Sequence, residues 1–386
     1  MKTPLFILTL VFMINVSQIT AQITRIWLTH QTDKPSHVVI NWESCKAGNS
    51  EVYLYCENEK DNEYHIIKND NVTLHHVEAP IEKKDVQYYY RVVTGNEKSE
   101  TYSFKSYPSE QNELRIAVLG NTFNIVNADL SKLINDDPHL ILTAGDNVHF
   151  VSGDCGIGVR DCVTPYLKLI DVAPEMFRSI PFMPTLGNHD KAIGPWNDGD
   201  TLLFDIDATA YLKFFKLPGD GWKWKFEIPD FKLCFISLDL HHIKESFGSN
   251  QQTCRDFRVG SEQFSWYKTM MATRPEGYVI TLSNEGNSVM RSQENGLWQD
   301  LFQKGNAVIT GYGYFAERAE VDGFPYFNTS VAAGTLYPDE YSKMIQQVGG
   351  YMLLRCSQSN PPNVEMKKFD GEIIDSIEIP LNTFFK

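Results

Sequence analysis

The hydrophobic rhythm of the chain changes once, near Pro108, and that change most constrains its fold. From about Gln22 to Pro108 the runs "RIWLTH", "HVVINWES", "EVYLYC", "YHIIK", "TLHHVEA", "QYYYRVVT" and "ETYSFKS" are short and β-type, with polar turn residues between them. Regularly spaced runs of this kind predict a β-sandwich of immunoglobulin or fibronectin type over residues 22–108. Trp42 is its expected inter-sheet core residue and Tyr90 its expected structural tyrosine. "YPSEQNE" reads as a linker. From Leu114 onward, apolar strands such as "LRIAVLG", "HLILT", "FKLCFISLDL" and "GYVITLS" alternate with helical stretches such as "SEQFSWYKTMMATR", for which Ser261 is the expected N-cap. That alternation predicts an α/β domain over 113–386 with its sheets covered by helices.

Charge and the N-terminus narrow the function classes. The formal net charge is −14, with 49 acidic against 35 basic residues and no basic patch, which argues against nucleic acid and against an anionic membrane surface. Residues 1–21, MKTPLFILTLVFMINVSQITA, have a basic start, an apolar core from Leu5 to Val16 and a small residue at Ala21. The apolar run is short for a membrane span, so the expectation is a secretory signal peptide, a secreted or periplasmic protein, and no membrane span after signal removal. The 7 cysteines suit an oxidising compartment. Cys45 with Cys56 and Cys155 with Cys162 are plausible pairs, and the odd total leaves at least one thiol over.

Several strands end in a polar motif, which is where α/β proteins place their sites. In order these are "VLGNTFN" with Asn121, "TAGDNVHF" with Asp146 and His149, "TLGNHD" with Asn188 and His189, "VITLSNEG" with Asn284, and "VITGYGYFAER" with Tyr312 and Tyr314. His241 and His242 follow the strand "CFISLDL" and are expected as a solvated loop pair, while Glu317 and Arg318 are expected to pair with each other. "NVT" at Asn71 and "NTS" at Asn328 match glycosylation acceptors if the producer is a eukaryote.

Taken together, the five motifs resemble the blocks of calcineurin-like metallophosphoesterases, and the N-terminal sandwich resembles that of the purple acid phosphatase branch. The resemblance implies a fibronectin III-like N-terminal domain followed by a metallophosphoesterase domain of two β-sheets flanked by helices. It also implies chemistry by two adjacent metal ions that polarise a phosphoryl group and lower the pKa of a bound water toward ~7. Carried over residue by residue, the pattern breaks. The first block wants an aspartate and has Asn121. The second wants a bridging aspartate, which Asp146 supplies, and a tyrosine, where His149 stands. The third wants an asparagine and a histidine near the phosphate, matched by Asn188 and His189. The fourth wants a histidine and has Asn284; the fifth wants two and has Tyr312 and Tyr314. No histidine occurs after His242, so no shift of register restores the last three.

The expectation is therefore a pseudophosphatase without the dinuclear centre, acting as a binding protein for a small anionic ligand, a glycan or a protein. Asp146 and His189 would then be relics in loops whose glycines and side chains shape tight turns. The alternative is a phosphate monoester hydrolase with a rearranged site, in which Asn121, Asp146, His149 and Tyr314 hold at most one Fe, Zn or Mn ion. The position left with Asp146, Asn188, Asn284 and Tyr312 offers mostly neutral oxygens and suits a transition metal poorly.

Overall fold

A computed structural model describes residues 22–194, 203–243 and 253–382; the N-terminal 1–21 segment expected to direct export lies outside the described residues. The first six strands form one hydrogen-bonded sheet. The runs "HVVINWES" and "EVYLYC" merge into the single strand His37–Cys56, and "YHIIK" and "TLHHVEA" merge into Tyr64–Pro80. Two register shifts, between Glu43 and Gly48 and between Gly48 and Ser50, divide these long strands. The first half of His37–Cys56 pairs with Ile26–Thr29 and the second half with Gln87–Thr94. Each half places alternate side chains on one shared core of Ile26, Leu28, Ile40, Trp42, Val52, Leu54, Tyr90 and Phe104, as the period of two requires. This is the expected sandwich, built from fewer and longer strands. Trp42 lies in that core and donates its Nε1 proton to Thr94 Oγ1 at 3.0 Å.

The remainder holds two further sheets. One runs Ile373–Glu378, Asn363–Lys368, Gly350–Cys356, Leu114–Leu119, Leu140–Thr143, Phe182–Met183; the other runs Trp224–Ile228, Leu233–Ser237, Tyr278–Ser283, Ala307–Thr310, Phe324–Asn328, Ala316–Val321, Ser342–Gln346. Alternation along the second sheet explains its two buried faces. Phe235, Ile280, Leu282, Ile309 and Phe327 point into the large core shared with Ile116, Val118, Leu142 and Leu353 of the first sheet. Their neighbours Cys234, Ile236, Val279, Val308 and Tyr326 point the other way, onto Phe264, Tyr267 and Trp298, which belong to the helices Glu262–Ala272 and Leu297–Phe302. Ser261 caps the first of these helices, its Oγ accepting from Phe264 N at 3.2 Å.

The sandwich is fastened to the α/β part by buried aromatic contacts and hydrogen bonds. Trp27 stacks on Phe214 with centroids 4.1 Å apart. Tyr90 donates to the carbonyl of Arg178 at 2.7 Å, so the expected structural tyrosine joins the two parts rather than closing its own corner. Arg25 takes Asp171 bidentately, both bonds at 2.8 Å. His30 stacks on Phe226 at 4.9 Å, and its two ring nitrogens meet His37 O and the Tyr107 hydroxyl. The linker residue Tyr107 is thus part of the junction.

Burial pushes His30 down to about 4 and His139 down to about 3, each held neutral inside the fold. An unfolded histidine takes a proton near pH 6.5, whereas these two take one only well below that. Below pH 6.5 the unfolded chain therefore binds more protons, and stability falls as pH falls toward 4. Thermal melting between pH 7.5 and 4 checks this: Tm should drop below pH 6.5, and His30→Gln, less stable at neutral pH, should show a shallower drop.

Candidate functional site

The two α/β sheets present the carboxyl ends of their parallel strands to one another. Leu114–Leu119, Leu140–Thr143 and Phe182–Met183 run parallel, as do Leu233–Ser237, Tyr278–Ser283, Ala307–Thr310 and Phe324–Asn328. All five polar motifs follow these strands, so the fold gathers them at one edge. The approach is close: a Cβ on Gly120 would lie 2.0 Å from Thr329 O and 2.8 Å from the Cα of Gly311. Gly145, at φ +94°, has the Asn284 side chain where a Cβ would be, at 2.4 Å. Only glycine fits either place.

A buried polar hub sets the loop geometry. Asn147 donates its backbone N–H and its Nδ2 to Asp190 Oδ2, at 3.2 and 3.0 Å, and also donates Nδ2 to Thr185 O at 2.8 Å. Its Oδ1 accepts from Thr143 and Thr122 hydroxyls at 2.8 and 3.2 Å. Asp190 further accepts from Gly187 N at 2.9 Å and from the Tyr166 hydroxyl at 3.1 Å. Burial and then the nearby Asp146 push the Asp190 carboxyl up to about 7, against the donors that favour its charged form. The next residue, Lys191, crosses to the other sheet and binds both oxygens of Asp239 at 2.7 and 2.6 Å, with both side chains wholly buried. Burial opposes the charge on Asp239, yet Lys191 and His241 hold it well below the usual carboxylate range. His241 is itself fully buried, between Asp239 and Thr253. The expected solvated pair is therefore divided, since only His242 lies on the cleft, its ring 5.6 Å from that of Tyr312.

Around this hub sit the residues singled out in the sequence. Asn121 is buried at φ +52° and donates Nδ2 to Gly313 O and, at 3.2 Å, to Ser330 Oγ. Asn284 donates Nδ2 to Ala144 O at 3.0 Å and to Gly311 O at 3.1 Å. Both amides thus tie a strand end of one sheet to the loop after Ala307–Thr310 or to the opposite sheet. Asp146, also left-handed at φ +56°, accepts from His189 N at 3.2 Å. His189 donates Nδ1 to His149 O at 2.5 Å, which fixes its ring. Asn188 is wholly buried, and neither its Oδ1 nor its Nδ2 has a hydrogen-bond partner; the Oδ1 of Asn284 lacks one too.

Phe123, quoted in the first motif but given no role there, stands among these groups. Its ring stacks on His189 at 4.8 Å and meets His149 at 5.6 Å and Tyr314 at 6.4 Å edge-on. Partial burial and then His189 push His149 below its ordinary range. Burial, followed by Asp146, raises Tyr314, so its phenol keeps its proton. Tyr312 packs against Tyr337 at 5.3 Å. The structure thus brings Asn121, Asp146, His149, Asn188, His189 and Asn284 to one edge with the two tyrosines, but with an aromatic ring between His149 and Tyr314. Among the described residues, no group of three or more His, Cys, Asp or Glu side chains comes together to hold a metal ion. One carboxylate, neutral amide oxygens and a protonated phenol are a donor set that suits a pair of transition metals poorly. The signals for the hub and for Phe123 were slight: an asparagine in "GDN" and one aromatic in an otherwise polar loop.

Two smaller expectations change. Glu317 and Arg318 do not pair: neighbours on a strand face opposite ways, so Arg318 binds Asp375 at 2.6 Å while Glu317 accepts from Asp339 N at 2.9 Å. Cys155 and Cys162 are bridged, whereas Cys45 and Cys56 are not.

A family model described as calcineurin-like phosphoesterase matches residues 115–322. Among solved structures, a purple acid phosphatase from yellow lupin (Lupinus luteus) seeds aligns with a TM-score of 0.68 at 13% identity, over 92% of this chain and 74% of that one. The structure of PhoD aligns with a TM-score of 0.62 at 13% identity, over 94% of each chain. At such identity these likenesses concern the fold. No curated protein matches by sequence.

If the Asn284 amide is a tie between the sheets, Asn284→Ala leaves the carbonyls of Ala144 and Gly311 without their donor. The expected cost is about 2–4 kcal/mol in urea unfolding. His149→Ala, at an exposed position, should change stability by less than about 1 kcal/mol in the same measurement.

Proposed function

The chain belongs to the calcineurin-like phosphoesterase family, and from that premise we propose that it is an exported pseudophosphatase that works by binding. The observation that carries the proposal is the use made of the inherited ligand positions. Asn121 and Asn284 hold main-chain carbonyls through their Nδ2 groups, so only their neutral amide oxygens could meet a cation, weaker donors than the aspartate and histidine that the resemblance implies. Tyr312 and Tyr314 are engaged with the rings of Tyr337 and Phe123. What remains is a cleft with purple-acid-phosphatase-like architecture, free to take a small anionic ligand, a glycan or a protein. Export is supported by the 1–21 segment and by the Cys155–Cys162 bridge, which suits a secreted or periplasmic setting.

A second reading, a phosphoesterase working with one cation, is favoured by a separate observation. The buried Asn188 side chain and the Asn284 Oδ1 lack partners close to Asp146, and orphaned buried oxygens are costly unless water or an ion meets them. In that reading Asp146 and Asn188 would bind the ion, and His189 would contact the phosphate.

Elemental analysis after equilibration with Fe, Zn and Mn, paired with a phosphomonoester hydrolysis assay, separates the readings. The binder should retain far less than one metal per chain and show no hydrolysis above buffer. About one metal per chain, lost together with hydrolysis in Asp146→Ala, would establish the second reading. Two metals per chain would contradict both.

A further inference from the structure

Beside the inherited site lies a second cleft of about 480 Å³, lined in part by Thr310, Tyr312, Phe315, Glu317, Asn328 and Tyr337. Its floor follows from strand register. Thr310 and Asn328 are Cα partners at the ends of parallel strands, and Asn328 is also the partner of Glu317 on the antiparallel neighbour. Residues paired across a sheet share a face, so three polar side chains form one row across three strands. The donors in this row are committed to the main chain. Thr310 Oγ1 donates to Glu285 O at 2.8 Å, and Asn328 Nδ2 donates to Phe315 O at 2.7 Å. Asn287, also lining the cleft, donates its Nδ2 to Phe327 O at 3.1 Å. That commitment, with 2% exposure, also removes Asn328 as a glycosylation acceptor in the folded protein.

What remains on the row is acceptor capacity that its own donors do not fill, Glu317 accepting from Asp339 N at 2.9 Å and from the Ser342 side chain. Asn328 Oδ1 is buried and has no hydrogen-bond partner. Glu317 is buried, and among the described residues it forms no ion pair; burial raises its carboxyl above the ordinary range. Asp339 holds Arg291 bidentately, both bonds at 2.7 Å, which leaves Glu317 the carboxylate of this row without a cation bonded to it. The walls are aromatic, with Tyr337 half exposed at the rim and Leu336 beside it.

We propose that this cleft binds a primary ammonium group carried on a ring or apolar body, with the ammonium on Asn328 Oδ1 and Glu317 and the body against Tyr312 and Tyr337. An ammonium brings donors and no acceptor, which matches an acceptor row better than a hydroxyl or an anion does. Its charge meets the Glu317 carboxylate, and tyrosine faces attract cations. The inference rests on the reading of the protein as a binder and adds a cationic ligand at a neighbouring cleft.

The test is calorimetric titration of the full chain, in phosphate buffer, with benzylamine, benzyl alcohol and benzoate. Benzylamine should bind saturably, and the neutral and anionic isosteres about tenfold more weakly or not at all. Glu317→Gln keeps the shape and can still accept from Asp339 N; it should weaken benzylamine about tenfold. Tyr337→Ala, at an exposed position that should not disturb folding, should weaken it about threefold or more. Equal binding of benzyl alcohol, an unchanged Glu317→Gln, or no saturable benzylamine binding up to about 20 mM would overturn the inference. A metal-poor protein indifferent to benzylamine would remove this inference alone. A protein holding two metals would remove the binder reading whatever benzylamine does.

Discussion

The cleft depends on the hydrogen bonds between Asn147 and Asp190. Between them these two buried side chains reach Thr122, Thr143, Thr185 and Gly187, and so tie together three successive strand ends of one sheet. Lys191 extends the same segment to Asp239 on the other sheet. A buried ion pair contributes little net stability, but removing one partner leaves an uncompensated charge and is strongly destabilising. That asymmetry makes the segment sensitive to loss of either Lys191 or Asp239. Asn188 and His189 are carried on a frame whose own bonds run through Asp190 and Lys191.

On the proposed reading, the positions where the resemblance implies metal ligands have taken other partners. An empty polar site in a protein interior is expensive unless its groups find partners. Asn121 and Asn284 find them in carbonyls, and Phe123, Tyr312 and Tyr314 fill space with rings that pack on one another and on histidines. Asn188, whose amide is buried without a partner, the Oδ1 of Asn284 and the Oδ1 of Asn328 in the neighbouring cleft keep unmet polar atoms. Unsatisfied atoms at strand ends are where a ligand or an ion gains most by binding, so they favour an occupied cleft over mere packing under either reading.

The fold was legible where periodicity was clean. Strand interiors such as "KLCFISL" alternate between two cores, and Ser261 announces its helix by its side chain. The long strands His37–Cys56 and Tyr64–Pro80 were read as four because bulges interrupt their pattern with polar residues. The site was legible as a set of positions because each motif ends a strand; the family match over 115–322 concerns the domain. The partners of those positions were not legible. Nothing local marks Asn284 as a donor to Ala144 and Gly311, because those carbonyls are distant in sequence. His241 and His242 are adjacent in the chain, yet one is buried against Asp239 and the other faces Tyr312; a loop carries no period that separates them.

The most direct test of the account is anomalous diffraction from crystals grown with excess zinc and manganese. The account predicts no ordered anomalous peak among Asp146, Asn188 and Asn284, with the Asn121 and Asn284 amides seated on the carbonyls of Gly313, Ala144 and Gly311. Two strong peaks bridged by Asp146 would contradict it.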